Sequence, residues 1–247
     1  MTAGARSRAG DTSPWGLRLV HAGVFLVLAA VPLGAALPEW RHVARALSRP
    51  FHAGAPPRWL LLVASVVAAV GTARLLVGLA RRRSAPLWAS LAVLAGVGAT
   101  LASGRRPPEE RSEPRANLAF LASARRVHLE MVGQLQSAAA VPVEVGPWQA
   151  ALERARRDDA RVADRTFRAV PPRVVRVAEP DSRAEPVVPG DLWLFVTPDG
   201  VSFSLRVVGL EAGQPALLRD ETGAPLVLRG LFNPDLPDSG PAAPLLP

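Results

Sequence analysis

The sequence contains no cysteine, no lysine and no tyrosine, and acidic residues are almost missing from its first 103 residues. Without cysteine, disulfides, thiolate metal sites and cysteine nucleophiles are excluded. All 29 basic residues are therefore arginine. A complete bias of this kind is typical of nucleotide composition, so we do not interpret the arginine abundance as phosphate recognition.

The positive charge belongs to one part of the chain. Residues 1–103 contain 11 arginines and two acids, Asp11 and Glu39, whereas residues 104–247 contain 18 arginines and 19 acids. A nucleic-acid-binding protein concentrates basic residues on its soluble surface, but here they flank apolar runs, as arginines that contact lipid headgroups do. We therefore expect the lipid bilayer, and no nucleic acid, as a partner.

Three long apolar runs predict three transmembrane helices, over about 19–37, 59–80 and 86–103. The first two would be about 28 Å and about 33 Å long as helices, close to the hydrocarbon thickness of about 30 Å. The second and third runs would form a hairpin around Arg81–Arg83. The alternative for the first run is a cleaved signal peptide with Gly34–Ala36 as the cleavage site, but the run is long for that.

The connection after the first run has its own helical pattern, over about 39–49. Trp40, Val43, Ala44 and Leu47 would share one side of the helix, and Arg41, Arg45 and Arg49 the other. A tryptophan-containing apolar stripe beside an arginine stripe predicts a helix in the membrane interface. The alternative is a short linker helix packed on the spans.

The predicted spans contain one charged residue and several small residues at helical spacing. Arg74 is a candidate intramembrane functional residue, because charges inside membranes are usually functional. It lies only about 9 Å of helix from Ala80, so snorkelling toward Arg81–Arg83 is the simpler interpretation. Five small residues predict helix packing by close backbone approach: Ala64, Ala68, Thr72, Ala92 and Gly96.

Beyond the spans, the pattern predicts a linker over 104–115, a small soluble α+β domain over 116–232 and a proline-rich, disordered tail over 233–247. The N-terminal residues 1–18 are also expected to be disordered. One helix is predicted from Glu113 to about Ala139, with Ser112 as its cap and Pro114 in its first turn. A second helix is predicted over Pro147–Phe167.

After residue 172 the apolar period changes to two, which predicts a short antiparallel β-meander. Thr197–Gly200 is a strong turn signal between strands at Leu192–Val196 and Val201–Val208. The alternation in the second of these strands predicts one apolar face and one solvated face. Another hairpin is predicted around Glu221–Gly223.

Candidate catalytic and metal residues are few. The four histidines, His21, His42, His52 and His128, have no metal-ligand spacing. His128 lies on the apolar stripe of its helix and is expected to be structural. Adjacent Asp158 and Asp159 would point about 100° apart on a helix, and no known catalytic motif is present. We therefore expect no metal, no cofactor and no enzyme activity.

These patterns predict a non-catalytic, membrane-anchored protein whose soluble domain is an interaction or assembly module of a membrane or envelope complex. Its partner would be another protein or a second copy of the chain. One alternative is a small-molecule sensor or transport accessory subunit, and another is an unrecognised envelope enzyme.

The distribution of arginines supports the two possible membrane orientations almost equally. The compact Arg81–Arg83 loop favours a cytoplasmic N-terminus. The soluble domain would then lie outside the cytoplasm, anchored in a bacterial inner or plasma membrane.

Overall fold

The computed structural model describes residues 15–103, 111–156 and 161–233. Its chain forms two compact units. The helical unit comprises residues up to Arg45 together with Pro57–Pro108, and the α/β unit comprises Ala46–Pro56 together with the chain from Glu109 onward. The predicted disorder of residues 1–18 was wrong for residues 15–18, which are helical. Residues 1–14, residues 234–247 of the predicted tail and most of the predicted linker fall outside the described residues.

The first helix, α1, runs without interruption from Trp15 to Leu47. The predicted span over 19–37 lies inside this helix, whereas the prediction of a separate helix over 39–49 was wrong. Pro38, which immediately precedes the predicted separate helix, lies inside α1, as Pro32 does. A proline removes only one backbone hydrogen bond, and neighbouring helices can stabilise such a position in a transmembrane helix. Buried side chains lie before, between and after the two prolines, at Ala29, Ala36 and Glu39.

The second helix, α2, spans Trp59–Ala80, as the apolar run predicts, and α3 spans Leu87–Ser103. Among the described residues, α1 and α2 are long and apolar enough to cross a membrane, whereas α3 is a shorter apolar helix of 17 residues. The fold class is therefore two apolar helices of membrane-spanning length followed by a unit of helices and strands. The third predicted span is not established by length.

In the α/β unit, α4 covers Glu113–Ala138 and α5 covers Val145–Ala155. The Ser112 side chain accepts a hydrogen bond from the backbone N–H of Arg115, and Ala139 ends α4 in the left-handed conformation. The prediction that the second helix continues to Phe167 was wrong. Asp164 Oδ1 accepts backbone hydrogen bonds from Thr166 and Arg168, and such local bonds stabilise a turn in place of a helix.

The strands are β1 to β7 in chain order. Their bounds are Phe51–Ala53, Val162–Asp164, Val174–Arg176, Leu192–Val196, Ser202–Glu211, Gln214–Leu217 and Val227–Leu231. The main sheet has the order β3-β4-β5-β6, and β7 also pairs with β5. β3 and β4 are parallel, so the predicted purely antiparallel meander was wrong. The β4–β5 hairpin around Thr197–Gly200 is confirmed.

A small second sheet uses residues that were predicted to be only a connection between spans. β1 pairs antiparallel with β2, and His52 is the partner of Ala163. Phe51 also donates its backbone N–H to the Gly213 carbonyl oxygen. Residues 51–53 thus belong to the α/β unit, although in sequence they lie between α1 and α2.

The central strands β4 and β5 of the main sheet are buried on both faces. Phe203, Leu205 and Val207 of β5 join α4 and α5 in the larger core, around the fully buried Trp148. The opposite face of β5 was predicted to be solvated, but Arg206 is buried. Its guanidinium donates to the Ser182 carbonyl oxygen, so the loop before β4 covers this face and replaces water.

Candidate functional site

Helices α2 and α3 pack as an antiparallel pair in which glycines make the closest approaches. A Cβ atom on Gly96 would lie 2.9 Å from the carbonyl oxygen of Ala64 and 2.9 Å from the Cβ of Ala68. These three predicted packing residues are therefore brought together. Close backbone approach of this kind is how helices associate in lipid.

A second close approach involves a residue that the small-residue spacing did not select. A Cβ atom on Gly71 would lie 2.7 Å from the Ala89 carbonyl oxygen and 3.1 Å from the Cβ of Ala92. Ala92 thus lies at the interface, opposite Gly71. The hydroxyl oxygen of the half-buried Thr72 is enclosed, with no hydrogen-bond partner among the described residues. The face of α2 that contacts α3 therefore includes Gly71, the neighbour of Thr72 in sequence. This face is rotated from the stripe of small residues that was predicted on α2.

Arg74 is exposed on α2 and does not line the cavity described below. No ion pair involves it within the described residues. The acids of the described helical unit are limited to Glu39, which lies in α1 and pairs with Arg58. Glu39 lies beyond the predicted first span of 19–37 but inside α1, which extends to Leu47.

A cavity of about 490 Å³ lies between the N-terminal part of α1 and the C-terminal part of α2. Its lining residues are Leu17, Arg18, Val20, His21, Ala22, Val24, Phe25, Leu75, Leu79, Arg83, Ser84 and Ala85. Most of the wall is aliphatic or aromatic, and two arginines provide the charge. A volume of this size lies in the range of small-molecule sites, about 300–1,000 Å³.

Polar contacts join the segments that form the arginine-rich end of this cavity. Arg18 donates from a terminal guanidinium nitrogen to the Arg82 carbonyl oxygen at 2.8 Å. The Arg82 guanidinium lies 5.8 Å from the Trp15 ring centroid, which is cation–π distance. His21 Nε2 is 3.0 Å from the Ser90 hydroxyl oxygen. Together these contacts position the loop after α2 against α1 and α3.

Charged groups in the α/β unit hold its own structure together. Arg173 donates two hydrogen bonds to the fully buried Asp191 carboxylate, at 2.9 Å and 3.1 Å. Burial raises the pKa of Asp191, and the bonds from Arg173 offset part of that effect. The Asn117 side chain both donates to and accepts from the backbone of Leu210. The Asn117 bonds connect α4 to β5, and the Arg173–Asp191 pair connects the residues that immediately precede β3 and β4.

Within the described part of the chain, the histidines do not assemble into a metal centre. His128 is half-buried, with Nε2 2.8 Å from the Arg229 carbonyl oxygen. His52 is buried against the Phe167 ring, and burial lowers its pKa, with nearby Asp164 opposing this shift. Within the described ranges, no group of three metal-ligating side chains occurs. Asp158 and Asp159 lie outside those ranges.

Comparison with known proteins finds no matching family model, no matching curated protein and no matching solved structure. Function must therefore be argued from the geometry.

Proposed function

We propose that the protein is a non-catalytic, membrane-anchored interaction module. The helical unit inserts into the bilayer, and the α/β unit recruits a second protein into a membrane complex. The observation that carries the proposal is the outer face of α4. There, Leu118 and Leu129 are 66% and 65% exposed, although the domain has a well-packed core that could bury large apolar side chains.

The two leucines lie on one side of α4. They are 11 residues apart, which is three helical turns, so their side chains align about 16 Å apart. The exposed residues Arg125 and Arg126 lie between them in sequence. An apolar strip with arginines is a surface that favours protein contact. Charge complementarity therefore identifies the partner surface as apolar residues flanked by carboxylates.

The proposed face is on a rigid scaffold. The opposite side of α4 packs into the core through Phe120, Val127 and Met131. The side-chain amide of Asn117, one residue before Leu118, donates one hydrogen bond to the backbone of β5 and accepts another from it. A preorganised surface loses less conformational entropy on binding, which favours a docking role for this helix.

We further propose that α3 crosses the bilayer beside α2, which makes three spans. Gly78 lies against Ala85, Gly71 against Ala89 and Gly96 against Ala64. Within α3 these contacts extend from Ala89 to Gly96, so the first half of α3 lies directly against α2. An odd number of spans then puts the α/β unit outside the cytoplasm when the N-terminus is inside. Paired C-terminal reporters, one active only inside and one only outside, test this orientation.

Photo-crosslinking in intact cells tests the partner proposal. A photoreactive residue replaces Leu129 on α4, and the matched control replaces the exposed Ala150 on α5. We expect a crosslink to a different protein from position 129, none from position 150, and loss of the crosslink in an Arg125→Glu/Arg126→Glu variant. Arg176→Glu on β3 should retain it. Adducts containing only this chain, or equal adducts from both positions, would contradict the proposal.

A further inference from the structure

The cavity between α1 and α2 combines an apolar interior with cationic groups at one end. Leu17, Val20, Val24, Phe25, Leu75 and Leu79 form the apolar wall. Arg18 and Arg83 also line it. An apolar cavity with convergent charged groups suits an elongated amphiphile that has an anionic end.

The charge balance of the helical unit favours an anion at this end. Its described residues contain eight arginines and the single acid Glu39. Glu39 accepts a hydrogen bond from the Arg58 backbone N–H at 3.0 Å, and it is 21 residues along α1 from Arg18, about 32 Å of helix. Glu39 therefore does not pair with the arginines that line the cavity.

The same end has the features of a headgroup-level region. Trp15 begins α1, and Trp88 lies in the first turn of α3; both are about half-exposed. Tryptophan and arginine are enriched where a span meets the headgroups. Next to this end, exposed apolar side chains continue along α1: Val20 lines the cavity, Val27 lies outside it, and both are exposed. A molecule would thus enter the cavity from the hydrocarbon, with its polar end at the arginines.

We propose that this cavity is a specific site for an anionic phospholipid. One acyl chain occupies the space between α1 and α2, and the phosphate is bound by the guanidinium groups of Arg18 and Arg83. Guanidinium groups bind phosphate oxygens with directed, charge-assisted hydrogen bonds. The proposal rests on the membrane insertion that is part of the proposed function, but it is independent of the partner of the α/β unit.

The test is native mass spectrometry of the full chain in mild detergent, titrated with phosphatidylglycerol, phosphatidylcholine or palmitate. We expect phosphatidylglycerol to bind most tightly, with one tight site per chain. Arg83→Gln should weaken it about fivefold, as expected for the loss of one arginine–headgroup interaction. Val24→Trp should abolish the tight site by filling the apolar space. Alkaline extraction of membranes first confirms that each variant is inserted, so failed insertion is distinguished from failed binding.

Matched variants separate the site from general attraction between a cationic protein and anionic lipid. Arg81→Gln removes a neighbouring charge that does not line the cavity, and Val27→Trp adds the same ring on α1 outside the cavity. Both should retain the tight site. Equal weakening by Arg81→Gln and Arg83→Gln, or equal affinity for phosphatidylcholine, would overturn the proposal. Tighter binding of palmitate than of phosphatidylglycerol would also overturn it, by assigning the cavity to a free fatty acid.

Discussion

The helical unit and the α/β unit differ in whether small or large residues make their interior contacts. In the helical unit, the closest contacts are made by Gly71 and Gly96, while Val27 is 72% exposed. In the α/β unit, by contrast, Trp148 is fully buried. In water, burial of large apolar side chains is the main stabilising effect. In lipid, large side chains gain nothing by turning inward, and close packing of small residues stabilises helix pairs instead.

Truncating one tryptophan in each unit gives the strongest test of this contrast. Trp148→Ala should destabilise the α/β unit by about 3–5 kcal/mol, because it leaves a large cavity in a packed core. The exposed Trp59 on α2 should tolerate the same change with little effect on unfolding in detergent. The measurement is the thermal midpoint of each purified variant. Equal losses would show that the helical unit also depends on burial from water.

Replacing a glycine by valine tests whether close packing of small residues stabilises the helical unit. Gly96→Val should separate α2 from α3 and destabilise their packing by about 1–3 kcal/mol, the usual effect of overpacking. Gly98→Val is the matched control on the same helix, because nothing lies within 4 Å of its added Cβ. Crosslinking between paired cysteines introduced in α2 and α3 reports the packing. If both variants crosslink like the parent protein, the glycine contact does not determine the pairing.

The smallest expected effect concerns residues 51–53. Because burial lowers the pKa of His52, the folded α/β unit disfavours the imidazolium form. Its stability contribution is present above the ordinary value of 6.5 and is lost as the pH falls from there toward the lowered pKa.

Thermal unfolding followed from about pH 8 to about pH 5 should show this loss in the α/β unit, and His52→Gln should reduce its slope. An identical slope in the variant would exclude His52 as its source.

Local signals predicted the elements that depend on local chemistry. The 22-residue apolar run became α2 with the predicted bounds. The Ser112 cap and the Thr197–Gly200 turn are at their predicted places because capping and turn formation involve neighbouring residues. The small-residue pattern selected Ala64, Ala68 and Gly96, which do meet, but it missed Gly71 since the rotation of a helix is set by its neighbour.

The features that were missed depend on partners distant in sequence. Pro38 stays inside α1 although local rules predicted a break there. β1 pairs with β2 more than 100 residues away, and β3 is parallel to β4 because the intervening loop returns the chain in the same direction. Arg206 is buried because that loop covers the sheet. The cavity joins residues of α1 with residues more than 50 positions later, so no local pattern could indicate it.

The sequence by itself determined that this protein has apolar helices of membrane-spanning length, an arginine excess confined to them, and a near-neutral part with helices and strands. These properties follow from composition and short-range periodicity. Only the tertiary structure decided which faces are in contact, that Glu39 and Arg206 are buried, and that Arg18 and Arg83 line one cavity. Those outcomes depend on side-chain packing between distant segments, where the free energy of each contact is set by the groups that surround it.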